Sequence, residues 1–322
     1  MADLTDEQAA IYDRQIRVWG ADVQKHLMEA NVLLMGCTAL AAEVAKNFVL
    51  AGVGKLSVMD DTLGSRAPLT FLHNAKIVSA GQSVAAMFAA GLQELNPMVK
   101  VQPVDGSAHS LPDAAFVNQF QLVLTFGLHA SEQQRLNDLC RSQDVSLIAA
   151  RSHGGRATAF VDLISHKCKR TPDTDDQEAE KLVTLPYAPL ATAAAVPWTS
   201  LARADQRQLN PLLPVWAAVT AFELEHDRAA TAADAATINA AGEARAEGMK
   251  AGTWQEGVLR EVLAPAAPMP AVDAVVGGFL GNDVVRIVSH VGVPTHNVLL
   301  FSVADNVVQV HNMTGQPSPL RS

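Results

Sequence analysis

Cysteine is scarce in this chain, and its spacing excludes two common uses of the residue. The 322 residues contain three cysteines, Cys37, Cys140 and Cys168, and none of them belongs to a Cys-x-x-Cys pair. Structural zinc sites need clustered ligands and disulfide frameworks need paired cysteines, so we expect neither a metal site nor a disulfide-stapled fold. The low cysteine content is typical of a reducing compartment.

A surplus of positive charge and a long apolar run are also missing. There are 24 Lys and Arg against 33 Asp and Glu, which gives a formal charge of −9 and argues against a general nucleic-acid binder, because phosphate contacts need surplus cations. No apolar run reaches the roughly 18 residues that a membrane span needs. The N-terminus, "MADLTDEQ", is too acidic for a signal peptide. We therefore expect a soluble intracellular protein without membrane or nucleic-acid partners.

The residues that are present alternate between strand and helix patterns. "LTDEQ" offers Thr5 as the N-cap of a helix that runs toward Trp19. "NVLLMG" is typical of a strand buried on both faces, and "ALAAEVAKNFVLAG" has the apolar spacing of a helix that ends at Gly52. "KLSVMDD" reads as the next strand. This order predicts a βαβ unit with parallel strands.

The same alternation continues to about residue 164 and predicts an α/β fold with a doubly wound, Rossmann-like sheet. Residues 166–181 are charged, and 182–265 are Ala-rich and helical in character. A small-residue helix follows at 271–290, in which Gly277 and Gly278 are expected to permit close packing, and two strands then return to the first sheet. We expect one domain from 1–165 and 265–322, with 166–264 as an inserted helical and irregular segment.

The turn after the first strand is a degenerate nucleotide fingerprint. A dinucleotide site needs Gly-x-Gly-x-x-Gly here, and the chain has Gly36, then Thr38 and Ala41 at the other two positions. The second glycine lets the backbone approach phosphate, and Thr38 places a branched side chain in that space. Asp60, at the end of the second strand, stands where an acidic residue would bind ribose. The turn is therefore expected to bind no nucleotide tightly.

Four segments together carry a resemblance to a known family: "YDRQIRVWG", "VLLMGCTALAAEVAKNFVLAGVGKLSVMDD", "LNPMVKV" and "PAVDAVVGGFLGNDVVRIVSHVGVPTHNVLLF". They resemble the ThiF/MoeB-type adenylation domains of ubiquitin-like-protein activating enzymes. Within this family they are most similar to the small, non-catalytic subunits of the heterodimers that activate SUMO. The similarity covers most of residues 8–165 and 265–305.

The resemblance implies that this chain lacks its own catalytic pocket. Active members carry Arg and Gln where this chain has Leu69 and Thr70, and a lysine where it has Val84. The carboxylate that holds Mg²⁺ in active members aligns with Leu128, which offers no oxygen to a hard cation. ATP and Mg²⁺ are therefore expected to be bound by a partner subunit and not by this chain.

The resemblance also implies that the thioester-forming cysteine belongs to the partner. We expect Cys37 and Cys140 to be packed as small hydrophobic residues. Cys168 lies among Lys167, Lys169 and Arg170 and is the cysteine whose surroundings would lower a thiol pKa, if the segment is exposed. A polar, irregular segment offers a poor frame for a nucleophile, so a catalytic role is not favoured.

In the resembling heterodimers the N-terminal helix of one subunit reaches the nucleotide of the other. Arg14 matches the residue supplied in trans to the partner's ATP, and Arg17 follows one turn later. The alternative is that both arginines pair with Asp13 and Asp22 at the surface. Tyr12, Ile16 and Trp19 form an apolar stripe on the same helix, which is expected to anchor it.

The resemblance implies two partners, the catalytic subunit and a SUMO-like modifier. The catalytic subunit is expected to form an obligate heterodimer with this chain. Its interface of about 2,000 Å² is expected to include the helix at 39–51 and the glycine-containing helix. The resemblance places such an enzyme in the nucleus and cytoplasm. Three alternatives stay open: the equivalent subunit for NEDD8, a homodimeric adenylyltransferase for a sulfur-carrier protein, and an NAD-dependent dehydrogenase. The last two would need catalytic or glycine residues that this chain lacks.

Overall fold

A large mixed sheet organises the chain in the computed structural model, which describes residues 5–66, 68, 70–74, 81–170, 181–201, 206 and 209–321. The strands of this part are β1 (Asn31–Met35), β2 (Lys55–Met59), β3 (Lys100–Val104), β4 (Leu122–Phe126), β5 (Ser146–His153), β6 (Arg156–Asp162), β7 (Ser165–Arg170), β8 (Lys181–Pro186), β9 (Val298–Ser302) and β10 (Val307–His311).

The α-helices of the same residues are α1 (Asp6–Ile11), α2 (Asp13–Trp19), α3 (Ala21–Glu29), α4 (Ala39–Ala51), α5 (Val84–Leu95), α6 (Ala114–Val117), α7 (Ala130–Ser142), α8 (Leu190–Ala195), α9 (Leu212–His226), α10 (Ala235–Ala246), α11 (Glu256–Leu263) and α12 (Pro270–Ser289). Among the described residues, no helix combines the length and apolarity needed to cross a membrane.

The sheet confirms the predicted α/β fold class. Its order is β10-β9-β6-β5-β4-β1-β2-β3. Neighbouring strands pair in parallel within the run β5-β4-β1-β2-β3. β6, β9 and β10 complete it with antiparallel pairings, so the C-terminal strands return to the first sheet as expected. The central parallel strands β1 and β4 are buried on both faces, which explains their largely apolar sequences.

One face of the sheet is covered by α4, α5 and α12, and α12 packs along α4. Gly277 permits this close approach, because a Cβ there would lie 2.6 Å from Cβ of Glu43. The second contact glycine is Gly281, which meets Asn47 one helical turn later, and not Gly278 as the sequence suggested. Gly278 has open space around it because residues four apart share a helix face and adjacent residues do not.

The other face carries two apolar clusters. α6 and α7 pack on the parallel strands, and the inserted segment contributes a cluster in which α9 packs against Phe160, Val298 and Leu300 of the sheet. The insert is not wholly helical or irregular, because β7 and β8 pair as an antiparallel ribbon. The charged residues 171–180 between these strands lie outside the described part of the chain.

The first helix begins as predicted but ends early. Thr5 forms a capping box with Gln8, and the helix then breaks at Tyr12, whose backbone φ of −98° and ψ of 11° separate α1 from α2. The single helix expected from Thr5 to Trp19 is therefore wrong. The break turns the ring of Tyr12 inward, where it is 2% exposed.

Candidate functional site

The turn between β1 and α4 lies at the carboxyl edge of the parallel strands, where nucleotides bind in folds of this type. Gly36 directly follows β1 with a φ of +86°, and a Cβ there would overlap the carbonyl oxygen of Phe126 at the end of β4. This glycine is therefore required by the close approach of two strand ends. Its presence alone carries no information on phosphate binding.

The side chain of Thr38 makes contacts within the turn itself. Its hydroxyl accepts a hydrogen bond from the backbone nitrogen of Ala41 at 3.1 Å and so caps α4. Its methyl group lies beside Gly127, at 3.3 Å from where a Cβ of that residue would stand. The branched side chain thus fills the space between the β1 and β4 loops that the second glycine of a fingerprint leaves open.

Asp60 binds the same turn from within. One carboxylate oxygen accepts a hydrogen bond from the backbone nitrogen of Cys37 at 2.7 Å, and the other accepts one from the backbone nitrogen of Thr62 at 3.0 Å. The acidic residue expected at a ribose position therefore holds the β1 turn against the loop after β2. The structure brings Gly36, Thr38 and Asp60 together in a turn whose polar groups bind one another.

Leu128 follows the end of β4, but its side chain is 3% exposed and packs with Leu33, Met35 and Leu136. An alkyl side chain inside an apolar cluster gives no ligand to Mg²⁺. Within the described residues there is also no group of three or more His, Cys, Asp or Glu side chains that could hold a metal ion. The residues at this position therefore do not fit the metal that active family members use.

Three further positions differ from those of active family members: Val84, Thr70 and Leu69. Val84 is buried as the first residue of α5, and its backbone nitrogen donates to the carbonyl of Thr62 at 2.8 Å. Thr70 accepts a hydrogen bond from the backbone nitrogen of Leu72. Leu69 lies outside the described residues.

All three cysteines are buried and free. Burial raises the pKa of Cys140 to about 12 and raises those of Cys37 and Cys168, and the Asp60 carboxylate adds to the effect at Cys37. The exposed, electropositive surroundings suggested for Cys168 are wrong. Because β7 alternates in burial, Cys168 points inward while Lys167 and Lys169 are exposed.

Arg14 and Arg17 lie on α2, away from this turn, and they differ in their ion-pair partners. The side chain of Arg17 is 76% exposed and pairs with Asp13 at 3.0 Å, as the surface alternative expected. Arg14 is also exposed, and it makes no hydrogen bond or ion pair with any residue that the structure describes. An exposed ion pair such as that of Arg17 with Asp13 contributes little to stability. Because Arg14 has no such partner among the described residues, its guanidinium is available to bind another molecule.

The apolar stripe of this helix packs on its own domain. Tyr12 rests on Gly52, where a Cβ would lie 2.6 Å from the ring, and the side-chain amide of Asn96 donates to its hydroxyl at 3.0 Å. Gln15 donates to the carbonyl of Leu50 at 3.1 Å and ties α2 to the end of α4. These contacts fix α2 with Arg14 facing solvent.

Several large apolar side chains near these helices are exposed. Val18 on α2 is 80% exposed, and Phe279 on α12 is 48% exposed. Val275, one helical turn before Phe279, is exposed on the same face, and Gly278 beside it leaves that face flat. An exposed stripe of this kind on a helix is typical of a protein–protein contact.

Comparison with known proteins agrees with the fold and the motifs. The ThiF family matches residues 12–320. The chain is 29% identical over 314 residues to "SUMO-activating enzyme subunit 1A" of Arabidopsis thaliana, covering 94% of both chains. It is 27% identical to "SUMO-activating enzyme subunit 1B-1" of the same plant over 94% of this chain and 95% of the relative. These matches confirm the resemblance to the small subunits of SUMO-activating enzymes.

Two further similarities are more limited. "NEDD8-activating enzyme E1 regulatory subunit AXL" of Arabidopsis thaliana is 37% identical, over 47% of this chain and 29% of its own length. Among solved structures, Escherichia coli MccB with succinimide superposes over 96% of this chain and 73% of its own, with a TM-score of 0.55 and 12% identity. The structural match shows a shared fold. The family match over residues 12–320 establishes that the chain is a member of the ThiF family.

Proposed function

We propose that this chain is the non-catalytic subunit of a heterodimeric SUMO-activating enzyme and that it supplies Arg14 to the ATP site of its catalytic partner. The observation that carries the proposal is the contrast between two sites on one chain. The turn at Thr38 and Asp60 is closed by its own hydrogen bonds, whereas Arg14 is exposed and has no partner within the described residues.

The chemistry of Arg14 suits this role. A guanidinium is permanently charged and offers a fork of donors that matches phosphate oxygens. In the proposed complex it stabilises the negative charge that develops on the phosphates as the modifier's terminal carboxylate is adenylated. The partner binds ATP and Mg²⁺, forms the acyl adenylate and transfers the modifier to its own cysteine. This chain completes the ATP site for adenylation and thioester transfer and scaffolds the partner.

The exposed apolar side chains support an obligate interface. Val18 lies on the helix that carries Arg14, and Val275 and Phe279 lie on α12, which packs on α4. A permanent complex covers such residues over about 2,000 Å² or more. We infer that these helices contact the catalytic subunit and bring Arg14 to its nucleotide.

SUMO is favoured over NEDD8 as the modifier because the SUMO-activating relatives match over nearly their full length. The NEDD8-activating relative matches over 29% of its own length. A homodimeric adenylyltransferase is less well supported, because each of its sites would need the metal-binding oxygen that Leu128 lacks. We expect the enzyme in the nucleus and cytoplasm.

The test is ATP–pyrophosphate exchange by the chain reconstituted with a catalytic subunit and SUMO. Arg14→Ala should lower the exchange rate at least about tenfold with assembly intact, since arginines supplied in trans contribute about 10³–10⁵ in other phosphoryl-transfer enzymes. Arg260→Ala is the matched control, because Arg260 is an exposed helical arginine in an i,i+4 pair with Glu256.

Unchanged exchange by the assembled Arg14→Ala complex would contradict the trans role. The isolated chain should show no exchange with any modifier, and activity there would contradict the loss of a phosphate-binding turn at Thr38. Reconstitution with NEDD8 and its own catalytic subunit in parallel distinguishes the two modifiers.

A further inference from the structure

A cavity of about 750 Å³ opens beside Thr38 and Gly127, between the sheet and the helices of the inserted segment. This volume lies in the range of about 300–1,000 Å³ that is usual for small-molecule sites. One wall consists of the ends of β5 and β6, and the other consists of α9, residues 229–233 and residues 262–268. None of the functional roles assigned above uses this space.

The helical wall of the cavity is apolar. Leu212, Trp216 and Val219 are spaced by four and three residues, so they share one face of α9. Val262 and Leu263 extend this surface at the end of α11. A flat or branched apolar group fits such a wall, because both sides lose contact with water when it binds.

The opposite wall holds a cation with unused donors. Arg151 donates from one terminal nitrogen to Glu223 at 3.0 Å, and its side chain is 27% exposed. It makes no other hydrogen bond to the residues that the structure describes. The edge formed by its Nε and second terminal nitrogen is therefore available, and this edge is the one that binds a carboxylate with two parallel hydrogen bonds.

Glu223 is not stabilised by Arg151 alone. The carboxylate is 2% exposed and also accepts hydrogen bonds from the backbone nitrogens of Ala130 at 2.8 Å and Ala230 at 3.2 Å. Ala130 is the first residue of α7, where the helix dipole stabilises negative charge. Glu223 is thus compensated from three sides, and the guanidinium keeps the capacity to bind a second anion.

Arg156 also lines the cavity, but all three of its guanidinium nitrogens already donate hydrogen bonds within the chain. Its Nε and one terminal nitrogen donate to Glu261, and the other terminal nitrogen donates to the hydroxyl of Ser302 at 3.0 Å. Of the two arginines in the lining, Arg151 is therefore the one that can anchor a ligand.

We propose that this cavity binds a small carboxylic acid with an aromatic or branched apolar body. The carboxylate pairs with Arg151, and the apolar body lies against Trp216. The proposal is independent of the role of Arg14, because it concerns a different part of the chain and requires no partner subunit.

The test is calorimetric titration of the full chain with 2-naphthoate and with its neutral analogue, 2-naphthamide. The carboxylate should bind at least about tenfold more tightly than the amide, as expected for hydrogen bonds to a charged group. Arg151→Lys keeps a cation beside Glu223 but removes the fork, and it should abolish most of this preference. Arg260→Lys, an exposed arginine outside the cavity, is the matched control.

A second variant tests the location without disturbing the ion pair. Ala233→Phe places a ring at an exposed position in the lining and should weaken binding of both probes about tenfold or more, because it occupies apolar space. Its thermal midpoint, measured in parallel, shows that the fold is kept. Equal affinity for the two probes, binding unaffected by both variants, or no binding at millimolar concentration would overturn the proposal.

Discussion

The side-chain amide of Asn96 donates to the hydroxyl of Tyr12 at 3.0 Å and to the carbonyl of Val49 at 2.8 Å. Tyr12 belongs to the N-terminal arginine-containing motif, and Asn96 ends the helix α5, 84 residues later. The pair joins the α1–α2 break to the two helices that cover the sheet. The direction of α2, and with it the position of Arg14, therefore depends on this contact.

Gly52→Ala should disrupt this anchor. The new Cβ would lie 2.6 Å from the Tyr12 ring, and the φ of +90° disfavours any residue with a Cβ. We expect a loss of at least about 1 kcal/mol in the free energy of unfolding, measured by urea denaturation, and a drop in exchange activity of the assembled complex.

Gly257→Ala is the control for this substitution, because nothing lies within 4 Å of the added group in α11. Tyr12→Phe is the milder probe and should cost about 0.5–1.5 kcal/mol through the lost hydrogen bond. If Gly52→Ala unfolds at the same urea concentration as the unmodified chain, the anchor is not where the structure places it.

Native thiol reactivity should be low. The three cysteines are buried, and burial raises their pKa values, that of Cys140 to about 12, so few thiolates exist near neutral pH. With a chromogenic disulfide reagent at pH 8, we expect slow labelling of the folded chain and rapid labelling of three thiols after denaturation. Fast reaction of Cys168 in the folded protein would contradict its inward orientation in β7.

Stability should fall in mild acid because of one histidine pair. His166 is 5% exposed and stacks on His290 with ring centroids 4.9 Å apart, and burial together with His290 lowers the pKa of His166 from 6.5 to about 4. The unfolded chain therefore binds a proton more readily than the folded one between these values. The stabilisation is complete above pH 6.5 and is lost progressively as the pH falls toward 4.

The contribution is on the order of 3 kcal/mol at full effect. In His166→Phe, the free energy of unfolding should depend less steeply on pH between 6.5 and 4, as measured by urea denaturation at several pH values. His73→Asn, at an exposed position, should leave the slope unchanged. Identical slopes for the His166→Phe variant and the unmodified chain would refute the assignment.

Assembly with the catalytic subunit should depend on the exposed face of α12. Phe279→Glu places a charge in the proposed interface and should raise the dissociation constant at least about tenfold, as expected for a central aromatic contact. Val307→Glu, an exposed apolar position on the edge strand β10, is the control. Equal effects of the two variants in sedimentation experiments would indicate that α12 is not the contact.

Local patterns predicted the elements near the turn well. The apolar run of β1, the periodicity of α4 and the Gly52 stop all reappear in the structure, because each depends on residues only a few positions apart. The capping box at Thr5 is of the same kind. The Tyr12 break was missed, since Tyr12 contacts Asn96 and Gly52, which no local pattern connects to it.

The charged strand β7 shows a different limit. Its sequence, "SHKCKR", is polar overall and suggested an exposed loop, yet alternate residues are buried. The period of two was present in the sequence and could have identified Cys168 as inward-facing. The ion pair between Arg151 and Glu223 offered no such signal, because 72 residues separate its members.

That same ion pair joins the inserted segment to the rest of the chain. Glu223 belongs to the inserted segment, yet its carboxylate is bonded to Ala130 and Arg151 of the Rossmann-like half, and α9 shares its apolar cluster with Phe160 and Val298. Neither portion can come apart without stranding a buried charge and exposing the core of the other. We therefore expect the two portions to unfold as one cooperative unit, in a single thermal transition.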